Sequence, residues 1–300
     1  MWWAGPDLNR RPSARQASGL ARQPSAVDIQ SMLEEFREFQ LVDLRRAKKT
    51  AYEKVYYVRS FFDQVPKPVS MVSVDDIRQY LKGLNGSSAT YKNALGALKV
   101  FFRDFLGKPQ VVASFEFPRQ TFKPKHTLTK EQLQKFCSHL GSVKEKVLFL
   151  LYAASGLRRN EVLGLRPENI DFNTRMITPN EHEGETKKSW LSFYNVEAEK
   201  VLDEYLRTKK PSRSPRLFPM PRAEEKQLWK TAKEKTGLNI TPQRLREWFC
   251  CEMASLGVND RYIDAFCGRT PKSVLARHYT DYSPEKLKRI YEEANLKVLA

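Results

Sequence analysis

The sequence predicts a mainly α-helical protein with one small β-sheet, built as a helical domain followed by a second helical domain that carries the sheet. Three observations lead there. Apolar residues recur at three- and four-residue spacing through most of the chain. Strand-like segments are confined to "NIDFNTRMITP" and "SWLSFYN", on either side of the polar turn "NEHEGETKK". A proline-bearing stretch from Lys108 interrupts the helical pattern. The chain's 300 residues are enough for two domains of ordinary size, each with its own core.

Residues 1–26 are rich in Arg, Pro, Ser and Gly and have no apolar period, so a flexible basic arm is expected. From Val27 the pattern changes. Ile29, Leu33, Phe36 and Phe39 or Gln40 share one helical face, and Val55, Val58, Phe61 and Phe62 repeat it. Ser73 with Asp75 and Asp76 caps a third helix, and "SSATYKNALGALKVFFRDFLG" closes a fourth at Gly107. Tyr91 and the runs "VYYV" and "VFF" are assigned to the core. The first domain is therefore 27–107, and "KPQVVASFEFPRQTFKPKH", with three prolines, reads as an extended linker over 108–125. The second domain, 126–300, opens with Thr129 and Gln132 in a capping box. Two apolar helices split at Gly156 follow, then the sheet, then helices to the end.

Composition narrows the function. Fifty-two Lys and Arg against 35 Asp and Glu give a net charge of +17, which favours a polyanionic partner through counterion release. No apolar run approaches the roughly 20 residues of a membrane helix, and the first residues lack a signal-peptide core, so a cytoplasmic, DNA-associated protein is expected. Cys137, Cys250, Cys251 and Cys267 show no metal-ligand spacing, and the adjacent pair is a poor disulfide framework. No Gly-rich phosphate loop, His-Glu-x-x-His helix or Asp cluster is present, so no metal or cofactor is expected. What stands out is arginine in apolar surroundings: Arg158 after "SGL", Arg246 in "TPQRLREWF" and Arg269 in "FCGRTP". A guanidinium offers paired donors to phosphate oxygens and stays charged at any working pH.

The segments "SGLRRNEVLGLRPENIDF", "TPQRLREWF", "CGR" and "ARHY" resemble, in order and spacing, the four boxes of the tyrosine recombinases, or phage integrases. The resemblance spans about Thr129 to Tyr282, and the four-helix unit before it is similar to that family's core-binding domain. It implies that Arg158 and Arg246 are the two catalytic arginines and that Tyr279 is the nucleophile, with Tyr282 beyond it. Lys187 is the favoured general acid, with Lys188 as its alternative. Gln243 and Arg269 stand where the family usually has histidines. Integrases of archaeal viruses and plasmids are similar in tolerating such changes. His278 is expected to pack or to contact backbone.

The implied activity is cleavage and rejoining of double-stranded DNA at attachment sites through a 3′-phosphotyrosine link, in a homotetrameric synapse formed from monomers. A phenol of pKa about 10 needs neighbouring positive charge to act as a nucleophile, and arginines also stabilise the phosphorane-like transition state without metal ions. Two other readings share these residues: a type IB topoisomerase and an inactive DNA-binding protein. The separate helical domain, and a last helix in "SPEKLKRIYEEANLKVLA" that could dock on a neighbouring subunit, favour recombination. Finally, Asp7 to Arg10 can be encoded by GATTTGAACCG, the reverse complement of a tRNA T-arm-like sequence. The arm would then be a translated attachment site, and the target a tRNA gene.

Overall fold

A computed structural model describes residues 27–84, 86–119, 126–179, 190–209, 212–271 and 273–300. The basic arm, Lys187 and Lys188 lie outside the described residues. The chain divides into two compact units, Met1–Lys123 and Pro124–Ala300.

In the first unit, α1 (Val27–Val42), α2 (Lys48–Gln64), α3 (Val74–Gly83) and α4 (Ser88–Lys99) surround an aromatic core. The Phe36 and Phe101 rings meet edge to face at 5.0 Å, and Phe61 and Phe102 at 5.9 Å. Phe101 and Phe102 lie on a wide π turn, Val100–Phe105, that continues α4. Both residues of the pair Phe39 and Gln40 meet the core: Gln40 is fully buried and donates to the Ala51 carbonyl at 3.4 Å, and the half-buried Phe39 packs on Phe105 with ring centroids 5.5 Å apart. Tyr56, by contrast, is exposed. Ser73 and Asp76 close a reciprocal capping box at the start of α3.

Gly107 takes a left-handed conformation, φ 65°, and turns the chain. The extended reading of the segment from Lys108 needs correction at its start. Pro109–Val111 forms a helical turn, and Val111 and Val112 are buried in the first core. Proline presets the turn, and two adjacent valines gain more by burial than by extension into water.

In the second unit, α5 (Lys130–Ser138) starts at the Thr129–Gln132 capping box, and α6 (Val143–Ser155) runs through the core, buried from Val147 to Ser155. The short α7 (Arg159–Gly164) follows. Strands β1 (Ile170–Asp171), β2 (Met176–Ile177) and β3 (Ser192–Phe193) form an antiparallel sheet in that order, with Ile177 opposite both Ile170 and Ser192. Helices α8 (Val196–Thr208), α9 (Arg222–Thr236), α10 (Pro242–Ser255), α11 (Asp260–Phe266), α12 (Val274–His278) and α13 (Pro284–Ala294) complete the unit.

Helix α13 turns its apolar face, Leu287, Tyr291 and Ala294, into its own unit's core, and Tyr291 donates to the Ala154 carbonyl at 2.7 Å. Asn295, at φ 47°, reverses the chain, so that Leu296 and Val298 are buried as well. The Glu197 carboxylate accepts from the backbone N–H groups of Val298 at 2.6 Å and Leu299 at 3.1 Å. The last helix and the tail thus pack their apolar residues within one chain. The apolar stripe of α13 and two further buried side chains have a ready core beside them.

Candidate active site

Helix α6 ends because Gly156 adopts φ 64°, and only glycine fits there: a Cβ would lie 2.4 Å from the Phe249 ring and 3.1 Å from the Cys267 sulfur. The chain re-enters helix at Arg158, the N-cap of α7. The Arg158 backbone N–H donates to one oxygen of Glu161 at 2.6 Å, and its Nη1 donates to the other at 2.7 Å. Its Nη2 donates to the Gly268 carbonyl at 2.9 Å. Glu161 is buried, only 3% exposed, so it compensates the arginine's charge inside the protein.

Thr241 caps α10 and Pro242 occupies its first position, which fixes where Arg246 emerges. Arg246 is 5% exposed. Its Nη1 donates to the Gly156 carbonyl at 2.6 Å and its Nη2 to the Cys267 carbonyl at 2.7 Å. Burial lowers its pKa from the ordinary guanidinium value, and nearby Arg158 acts in the same direction. Glu247, next to Arg246 in sequence, accepts from Gln243 Nε2 at 3.3 Å, one turn earlier on the same helix, where Gln243 is exposed.

Arg269 follows Gly268, whose φ of 57° bends the chain out of α11. Its Nη1 donates to Asp264 Oδ1 at 2.9 Å and its Nη2 to the Cys250 sulfur at 3.5 Å. Partial burial pulls its pKa down, but the Asp264 hydrogen bond and the neighbouring thiols outweigh that and hold it above the ordinary value. The turn 267–269 thus links all three arginines, as main-chain acceptor for two and as backbone of the third. Among the described residues no group of three or more His, Cys, Asp or Glu is placed to hold a metal.

Tyr279 ends α12 and is 75% exposed. Its hydroxyl takes no part in the hydrogen bonds among described residues that tie the arginines together. Tyr282 is tethered: its hydroxyl donates to the Ala276 carbonyl at 2.8 Å, and its ring packs edge-on against Trp190 and Tyr262. His278 is exposed rather than packed, since the short α12 buries no residue.

The phage integrase family profile matches residues 126–286, more than half of the chain. The chain belongs to the phage integrase family. It is a tyrosine site-specific recombinase. The phage integrase N-terminal SAM-like domain matches residues 32–111 of the recombinase, a span that takes in the Pro109–Val111 turn. It is 26% identical over 281 residues to tyrosine recombinase XerA of Pyrococcus horikoshii, covering 88% of this chain and 94% of the relative. Against XerA of Saccharolobus solfataricus it is 25% identical over 214 residues, 67% and 72% of the two chains. Its fold is similar to that of the Tn1549 transposon integrase in complex with circular intermediate DNA, at TM-score 0.63 and 17% identity over 88% of this chain and 98% of that one. It is likewise similar to a lambda integrase dimer bound to a core site, at TM-score 0.63 and 14% identity over 85% and 96%. In the recombinase no helix among the described residues is long and apolar enough to cross a membrane.

Sequence reasoning singled out the three arginines but assigned Glu161 no role at the site, and it missed the contacts of Cys250 and Cys267. Glu161 had a signal, the three-residue spacing from Arg158. The cysteines had none, because 17 residues and a helix boundary separate them.

Proposed function

We propose that this recombinase integrates, and in reverse excises, a mobile element of an archaeal virus or plasmid, with a tRNA gene as target. The Tyr279 hydroxyl attacks the scissile phosphorus, its proton passing to solvent. The bond to the 5′ oxygen breaks, and Lys187 delivers the proton that the departing oxygen needs. Arg158, Arg246 and Arg269 hold the non-bridging oxygens as charge spreads over them. Gln243 donates a hydrogen bond at the same phosphate. Because the 3′-phosphotyrosine keeps the phosphodiester energy, rejoining to a second strand needs no nucleotide. Monomers assemble on double-stranded attachment sites into a tetramer in the cytoplasm of the host.

The observation that carries this reading is the gathering of three guanidinium groups about one turn, two of them oriented by main-chain carbonyls. An attachment-site duplex nicked close to the cleavage point tests it. Covalent trapping together with Holliday-junction formation is the expected result. Trapping with supercoil relaxation and no junction assigns the chain to type IB topoisomerases, and no trapping leaves a DNA-binding protein.

A further inference from the structure

The proposed phosphate site rests on two thiols that the strand-transfer chemistry leaves unused. Cys250, half-buried on α10, and Cys267, 1% exposed at the end of α11, have their sulfurs 3.4 Å apart. They lie against the arginines on three sides. Arg269 Nη2 donates to the Cys250 sulfur, the Cys267 carbonyl accepts from Arg246, and the next carbonyl, Gly268, accepts from Arg158. The Cys267 sulfur also faces Gly156, whose carbonyl is the second acceptor of Arg246.

We propose that Cys250 and Cys267 form a reversible disulfide that switches the strand-transfer site off, with a small-molecule disulfide such as oxidised glutathione as the oxidant. The inference rests on the assignment of Arg158, Arg246 and Arg269 to the phosphate site. The Cys250 thiolate attacks one sulfur of the oxidant, whose S–S bond breaks and releases one thiolate. Cys267, its proton lost to solvent, then attacks the Cys250 sulfur and expels the second thiolate. The protein loses two protons and two electrons, and the oxidant becomes two thiols. Cys250 is suited to attack first: the Cys267 thiol hydrogen bond, with the Arg269 and Arg246 charges, holds its pKa below the ordinary value, while the same hydrogen bond and burial raise that of Cys267. Bond formation draws the sulfurs together by about 1.3 Å, to the roughly 2.05 Å of a disulfide. It also removes the sulfur charge that faces Arg269 and pulls on the backbone that orients Arg246 and Arg158. A shift of those guanidinium groups by about 1 Å would cost about 10²-fold in rate.

The full-length protein is equilibrated with reduced or oxidised glutathione and assayed for covalent attachment to a nicked duplex, with peptide mass spectrometry in parallel. Each result is the ratio of oxidised to reduced rate for the same protein, so that basal differences cancel. The expected result is a crosslinked peptide pair joining Cys250 to Cys267, an attachment rate lowered about 10²-fold, and recovery with dithiothreitol. Cys250→Ser and Cys267→Ala each remove the response, whereas a Cys137→Ser, Cys251→Ser double variant keeps it. A pair that stays reduced, a Cys250–Cys251 crosslink, or a formed disulfide with unchanged attachment overturns the proposal. If the reduced protein never attaches to DNA, the recombinase site assignment fails and the switch with it. The crosslinked peptide is then read independently as evidence for the pair alone.

Discussion

Tyr282 is tied by its hydroxyl to the Ala276 carbonyl at 2.8 Å, across the residue that stands free at the end of α12, Tyr279. The two tyrosines therefore have different expected fates. Tyr279→Phe removes the nucleophilic oxygen and abolishes covalent attachment to DNA, with binding in a mobility-shift assay nearly unchanged. Tyr282→Phe keeps attachment but loosens the α12 segment, for a stability loss of about 1 kcal/mol. The opposite pattern moves the nucleophile by three residues.

Arg246 satisfies two carbonyls on separate elements with one planar fork. Arg246→Ala is expected to slow single-turnover cleavage by about 10²- to 10³-fold. Arg246→Lys keeps the charge but cannot reach both acceptors, so it recovers only part of that loss. Full recovery by lysine would show that charge alone matters at this position.

Gly156→Ala combines a left-handed conformation with a Cβ lodged in the Phe249 ring. A loss of about 3 kcal/mol is expected in urea unfolding. Gly83→Ala, with nothing within 4 Å of the added carbon, is expected to be neutral or slightly stabilising.

Lys187→Ala, if Lys187 is the general acid, is rescued by a 5′-thio leaving group, because a thiolate departs without a proton. Rescue confined to Lys188→Ala shifts the assignment by one residue.

Acid stability of the first unit is expected to depend on Asp76. Its hydrogen bond from Lys67, followed by those from the Ser73 backbone and hydroxyl, lowers its pKa to about 2 from 3.8. The folded state thus favours the ionised form. Its contribution is complete above the unfolded value and is lost as pH falls through about 2. A circular dichroism titration should show a flatter acid limb for Asp76→Asn. Ser73→Ala should cost about 1 kcal/mol at neutral pH.

Much of this was legible in the sequence where the cause is local. The cap at Ser73, the capping box at Thr129, the break at Gly156 and the apolar faces of α1 and α2 depend on residues within one or two turns of each other. So does the position of Arg158 at a helix start. Residues 109–112 were misjudged because their prolines and valines send opposite signals, and a nearby core decided between them. Gln40 was ambiguous for a similar reason: a polar side chain entered the core through its bond to Ala51, a residue on the next helix. The contacts of Arg246 with Gly156 and Cys267, and the meeting of Cys250 with Cys267, join separate helices. Periodicity carries no information about them.

The orientation of Arg158 and Arg246 by carbonyls of residues 156, 267 and 268 bears on how this site tolerates change. Residues 156 and 268 are glycines at positive φ and tolerate little change, but drift in the side chains around these main-chain acceptors cannot itself delete them. Only displacement of the backbone can. Two guanidinium groups referred to one short turn also have fewer independent errors of alignment than two groups held by separate side chains. Replacements at the exposed positions 243 and 269 would then leave the pair of guanidinium groups in register.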